Sequence, residues 1–480
     1  MKTLIGVAAV ASAAAACAVA WFAFAPARAD APAAASPRPQ LAEQGTPRFP
    51  DFGFLPPASE FHPERTFRLS QDFPVREPEI DPAVRRILAI DYAKDWRAYA
   101  DATLDYVLQG NIENRDISQA FFLEDNPVRR WYHVPWQHWG DSGREGLHGM
   151  TAEGPSPPFT LGPRQKTPAQ TYAVGFYNDR GGYLIGKVWA DADNPRPDIV
   201  RQDGGFPVGT VVAKLLFTTA PVGEVDYLSN PIEWTAYTKT HFAPNVPDTD
   251  PPTPRRVTLV RLIQVDIMVR DDRAKATGGW VFGTFIYNGA LGRPNLWRNL
   301  VPLGLMWGND PAVKSHMAGN GSPTATLTNP DLRETVINPD AAKLPPQHLG
   351  FGLRLSGAVD NTLSSCKSCH MTAEYPQESG ILPGYSRIDG RALTCADPEW
   401  FSWFRNLGPT DSFDPGAYPM DNSLQLAGSI QNFLAARNLS LKGYYATQYW
   451  KGKRVTSVYD KRGVPPEGGI PCNPPVKTGS

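Results

Sequence analysis

The residues with the clearest chemistry in this chain of 480 residues are Cys366-Lys367-Ser368-Cys369-His370. Two thiols three positions apart share one side of a helical turn, and an imidazole follows directly. C-x-x-C-H is the attachment sequence of c-type haem. The thiols form thioethers with the two vinyl groups on one porphyrin edge, and the histidine becomes an iron ligand. A thioredoxin-like dithiol would need a βαβ setting, and a zinc site would need a second ligand pair; neither is present. One covalent haem c, held by Cys366, Cys369 and His370, is the expected cofactor.

The elements that must position this group follow it in the chain. A short helix is predicted over 398–406. A second is predicted over 423–437, where Leu424, Leu426, Ile430, Phe433 and Leu434 form an apolar face. Between them, Gly416-Ala417-Tyr418-Pro419-Met420 brings a thioether 50 residues after His370. In this order, the last quarter of the chain resembles the class I cytochrome c domain. That resemblance implies His370/Met420 axial ligation, a low-spin iron and an electron carrier. His348, an open axial position, or a mere packing role for Met420 are the alternatives. The extra tail, 438–480, departs from the family.

Cys395 and Cys472 are the other two cysteines expected in the mature chain, and in an oxidising compartment they are the candidates for a disulfide. Such a bridge would staple the tail to the haem domain and contribute about 4 kcal/mol in the chain-entropy model. Two unbridged buried thiols are the alternative.

Export is read from the N-terminus. Lys2 precedes an apolar run to Ala25, and Ala27-x-Ala29 suits a signal peptidase, so residues 1–29 are expected to be a signal peptide and the protein periplasmic. An uncleaved run would instead anchor it in the membrane, facing the periplasm. A net charge of −1 implies no polyanionic partner, so nucleic acid is not expected. A redox partner protein is.

Residues 30–80 are dense in proline and read as a tether and extended arm. Asp81 as cap, Pro82, and apolar residues from Val84 to Tyr106 predict one helix closed by Gly110. Strands are expected at 171–177, 183–190, 210–219, 233–238, 256–269, 280–287 and 300–307. The fold class is therefore α+β and multidomain. An antiparallel sheet or sandwich with its helix (81–345) precedes a small, mainly α cytochrome c-like domain (346–480).

Within the first domain, Trp131, His133, Trp136, His138 and Trp139, with His148 beyond, are a candidate ligand pocket or metal site, or simply packed aromatics. Phe206-Pro207-Val208-Gly209-Thr210-Val211-Val212-Ala213-Lys214, the run 265–271, and Gly278-Gly279-Trp280-Val281-Phe282 resemble the β-sheet c-haem cytochromes of hydroxylamine and nitric oxide chemistry. In some of those a lysine is cross-linked to the porphyrin. There the C-x-x-C-H follows the Gly-Trp strand closely, whereas here about 85 residues intervene. The resemblance implies a fold and no catalytic residue, and Lys214 is read as an ordinary strand lysine. A monohaem electron-transfer protein is the leading expectation. A haem enzyme acting on peroxide or a nitrogen oxide through an open axial site, and an envelope redox sensor, are the alternatives.

Overall fold

A computed structural model of the chain describes residues 70–437 apart from 114–120, 122, 124–125, 138–144, 146, 148, 240–253, 315–327 and 341–348. It also describes Phe49, Ser59 and the paired segments Tyr449–Trp450 and Lys453–Arg454. The expected signal peptide, most of the arm, His138, Trp139, His148, His348 and Cys472 lie outside the described residues.

The helix expected from Asp81 to Gly110 is two helices, α1 (Pro82–Ala89) and α2 (Trp96–Leu108). Asp81 caps the first as expected, accepting from the Ala83 N–H at 2.7 Å. The break falls where two aspartates satisfy backbone donors locally. Asp91 accepts from Ala93 N–H at 3.1 Å and Asp95 from Ala98 N–H at 3.2 Å. Short acidic side chains compete with the helical ladder in this way, and apolar spacing carries on across the gap undisturbed.

Eight antiparallel strands form one sheet: β1 (Thr151–Ser156), β2 (Ala169–Tyr177), β3 (Val211–Thr218), β4 (Glu233–Lys239), β5 (Arg255–Arg270), β6 (Trp280–Tyr287), β7 (Leu300–Met306) and β8 (Thr335–Ile337). Their order is β1-β2-β3-β5-β6-β7-β8, with β4 paired to the first half of β5. The strand expected at 183–190 is instead helix α3 (Asp179–Val188), followed by the short α4 (Asp198–Gln202). Asn178 caps α3, accepting from Gly181 N–H at 3.2 Å. A Cβ on Gly182 would stand 2.7 Å from the Tyr132 ring, and one on Gly186 2.4 Å from Phe73 Cβ. Gly182 and Gly186 therefore let the helix lie close to its neighbours.

Paired residues of a sheet project to the same face. Along one row Gly175 pairs with Lys214, Lys214 with Asp266, Asp266 with Thr284, and Thr284 with Gly304. On this face the rows above and below supply Val212, Leu216, Gln264, Met268, Phe282 and Ile286. The opposite face buries Phe176, whose ring lies 5.0 Å from Trp131 and 5.9 Å from Phe121.

After residue 345 come α5 (Cys366–His370), β9 (Glu374–Tyr375), a 3₁₀ turn at Pro398–Phe404, β10 (Tyr418–Pro419) and α6 (Leu424–Ala436). Leu355, Ala358, Ala373, Met420, Leu426, Ile430 and Phe433 belong to the same buried cluster as the sheet. Phe351, Met371, Cys395, Trp400, Trp403 and Phe413 form a satellite cluster. Among the described residues no helix is long and apolar enough to cross a membrane.

Ile267, in the middle of β5, is 1% exposed, and Val75 is 93% exposed. Ile267→Ala is expected to lower unfolding free energy by about 2–5 kcal/mol in urea titrations. Val75→Ala should stay within about 0.5 kcal/mol of wild type.

Candidate functional site

Helix α5 is one turn and a half long, so its ends must be fixed from outside. Ser365 accepts from Ser368 N–H at 3.2 Å, and Ser368 Oγ accepts from Ser365 N–H at 2.7 Å, a reciprocal cap. The Cys366 N–H donates to the Leu355 carbonyl at 3.0 Å. The turn sorts its side chains by position. Lys367 and Ser368 are buried, whereas Cys366, Cys369 and His370 keep partial exposure. Positions i, i+3 and i+4 share a helix face, and here that face is the open one.

That face looks onto the polar row of the sheet. Thr284 Oγ1 lies 3.7 Å from Cys366 Sγ and donates to Asp266 Oδ1 at 3.0 Å. Gln264 Nε2 bridges Asp266, at 2.8 and 3.0 Å, and Asp360 at 2.9 Å. Lys214 pairs with Glu153 at 3.0 Å. Lys214 and Asp266 also remain partly exposed, although surrounded by the sheet core. Phe282 closes one side, its ring 5.3 Å from that of His370.

His370 is held from behind. Its Nδ1 lies 2.8 Å from the carbonyl oxygen of Asn422, which as an acceptor fixes the proton on Nδ1 and leaves Nε2 as the lone-pair nitrogen. Burial, with the Lys214 and Lys367 charges adding to it and the Asn422 bond opposing, pushes the imidazole down to about 4. The ring is therefore neutral near pH 7. Burial pushes the Cys369 thiol up to about 12, and burial with the Asp360 and Asp266 carboxylates also drives the Cys366 thiol well above its ordinary value. Both sulfurs are thiols at neutral pH, the form that adds across a vinyl group, and are poor nucleophilic thiolates. Burial and the neighbouring Asp360 hold the Asp266 carboxyl well above the usual range, with Lys214 opposing.

Comparison with protein-family models, curated proteins and solved structures returns no match. The site is thus read from its own geometry. Two thiols and a neutral imidazole on one partly exposed helix face are the residue types that would hold a covalent haem. Among the described residues no group of three His, Cys, Asp or Glu side chains gathers to hold a bare metal ion.

The other expected site residues are distributed more widely. Met420 is fully buried, its N–H donating to the Ala373 carbonyl at 2.9 Å, and β10 pairs with β9 just after His370. A turn from Met420 O to Ser423 N, 2.9 Å, keeps Met420 beside Asn422. Trp131 and Trp136 are buried, Trp131 against Phe176 and Trp136 at 5.4 Å from Phe433. His133 is buried with its backbone N–H on Ser70 O at 3.0 Å. Trp131, His133 and Trp136 are thus buried, and His138 and Trp139 lie outside the described residues. Cys395 is buried in the satellite cluster, and its proposed partner Cys472 lies outside the described residues. Lys214, read as an ordinary strand lysine, lies in the polar row of β3 and pairs with Glu153.

Asp266, Thr284, Gln264 and Asn422 escaped the sequence reading. The signal available for the first three was a polar residue at alternate positions of strands that are otherwise apolar. Asn422 contributes a backbone carbonyl, which leaves no trace in composition or spacing.

Glu374, beside the site in β9, accepts from the backbone N–H groups of Phe413 (2.7 Å) and Asp414 (3.0 and 3.1 Å). Burial first, then the Asp414 carboxylate, push it up to about 9 from an ordinary 4.5. The folded chain therefore holds this proton more tightly than the unfolded chain does. The stability it contributes is complete below pH about 4.5 and is lost as pH rises towards about 9. Glu374→Gln is expected to flatten that part of the stability–pH curve, measured by urea unfolding at a series of pH values.

Proposed function

We propose that this chain is an exported, periplasmic monohaem c-type cytochrome that transfers electrons. Cys366 and Cys369 would bind the haem through thioethers, and His370 would ligate its iron. The observation that carries this reading is the open face of α5. Cys366, Cys369 and His370 occupy it while the turn's other two side chains are buried, and Asn422 already engages Nδ1. When bound, haem supplies a one-electron redox centre.

The chain's own residues account for the rest. The Asn422 carbonyl orients the imidazole and raises its basicity. Phe282 and the apolar rows of the sheet exclude water. Lys214, Asp266 and Asp360 set charge near the thiols, which in a low-dielectric surrounding bears directly on a redox potential. A redox partner protein would dock through a small, transient interface.

The order of α5, the 3₁₀ turn at Pro398–Phe404, the Met420 loop and α6 supports a class I-like arrangement after residue 345. Its apolar residues share the sheet's core, so the arrangement leans on the sheet. Met420 is the axial partner that this order favours. The turn tying Met420 to Asn422, whose carbonyl engages Nδ1, favours a second reading, in which the iron's sixth position is open to a small molecule.

Optical and cyanide-binding measurements on the haem-loaded protein and on Met420→Ala separate the two readings. Met420 ligation predicts a low-spin wild type and a high-spin, cyanide-binding variant. The open-site reading predicts that wild type already binds cyanide and that the variant matches it. A wild type that takes up no haem during export alongside a haem-attachment system refutes both.

A further inference from the structure

The Gly-Trp and Phe-Pro-Val-Gly motifs of the sheet domain lie far from α5 in sequence, and the proposed function leaves them unused. They converge on Asp421, the residue before Asn422. Asp421 has no exposed surface on its side chain. Its Oδ1 accepts from Trp280 Nε1–H at 2.8 Å, and its Oδ2 from Phe206 N–H at 2.6 Å. Arg270 Nε stands 3.8 Å from Oδ2, and the same guanidinium donates to Gly279 O at 2.8 Å.

Two glycines make this approach physically available. A Cβ on Gly205 (φ 95°) would lie 2.4 Å from Asp421 Oδ2, and one on Gly279 (φ 83°) would lie 1.9 Å from Arg270 Nη1. No other residue fits either place without displacing the carboxylate or the guanidinium. The carboxylate in turn holds a left-handed pair, Asp421 at φ 45° and Asn422 at φ 66°. Such a conformation in two successive non-glycine residues costs energy and persists only where its surroundings impose it. Its consequence is the direction of the Asn422 carbonyl, 2.8 Å from His370 Nδ1.

We propose that Asp421 and Trp280 are positioning residues for His370: the sheet grips the Asp421 carboxylate and so aims the Asn422 carbonyl at the imidazole. The sheet domain thereby sets the orientation and basicity of the iron ligand, and with them the potential of the haem. This rests on His370 serving as that ligand.

The test is the midpoint potential and ferric electron-paramagnetic-resonance spectrum of the haem-loaded, full-length protein. Trp280→Phe keeps an aromatic ring in place and removes the donor. Asp421→Asn keeps the volume but leaves one of the two donors without its acceptor. Phe206→Leu is the control: it removes a ring 5.7 Å from Trp280 and keeps the backbone N–H. The first two variants are expected to raise the potential and shift the g-values, because a loosened Nδ1–H bond makes the imidazole a weaker donor. Phe206→Leu should cost stability and leave both readings at the wild-type value. Wild-type potential and g-values in Trp280→Phe, or equal shifts in all three variants, overturn the proposal. Haem content measured on the same samples keeps this separate from the haem assignment. A haem-free wild type overturns both, and unchanged spectra from haem-loaded variants overturn only the positioning role.

Discussion

A hydrogen bond of 2.8 Å between His370 Nδ1 and the Asn422 carbonyl fixes what this site can do. It settles which ring nitrogen carries the proton and leaves the other with its lone pair. Everything around it is arranged to hold its two ends. On the histidine side, a reciprocal Ser365–Ser368 cap and the Leu355 carbonyl stabilise a helix too short to stand alone. On the asparagine side, a buried carboxylate accepts from Trp280 of β6 and from the Phe206 N–H, and the β9–β10 pairing brings the loop alongside.

The sheet serves the site as more than a platform. One of its faces is mainly apolar and buries aromatic side chains such as Phe176. The other carries a polar row, Lys214, Asp266 and Thr284, directly opposite the thiols. Polar groups there are costly unless bonded, and Gln264 and Glu153 bond them. The row therefore sets a bonded, charged strip opposite the thiols in a sheet that is otherwise largely apolar.

Legibility in the sequence followed range. C-x-x-C-H was plain because its chemistry is contained in five residues. Most strands were plain because burial imposes their composition, and α6 because its apolar positions repeat. The break between α1 and α2 was hidden, since Asp91 and Asp95 stop the helix without disturbing the apolar spacing. The segment at 183–190 read as a strand because its β-branched and aromatic residues are buried on a helix packed close to Tyr132. The roles of Asp421, Asn422 and Trp280 depend on contacts across 141 residues of chain, and one of them on a backbone carbonyl. Met420 was legible only by its order after His370, and the turn that joins it to Ser423 is a backbone contact that spacing does not show.

The most direct test of the account is the mass of the peptide containing Cys366–His370 from protein exported alongside a c-type haem-attachment system. The account predicts a peptide heavier by one haem that survives denaturation, and reduced to a single thioether in Cys366→Ala. A wild-type peptide of unmodified mass, with both thiols open to alkylation, would contradict it.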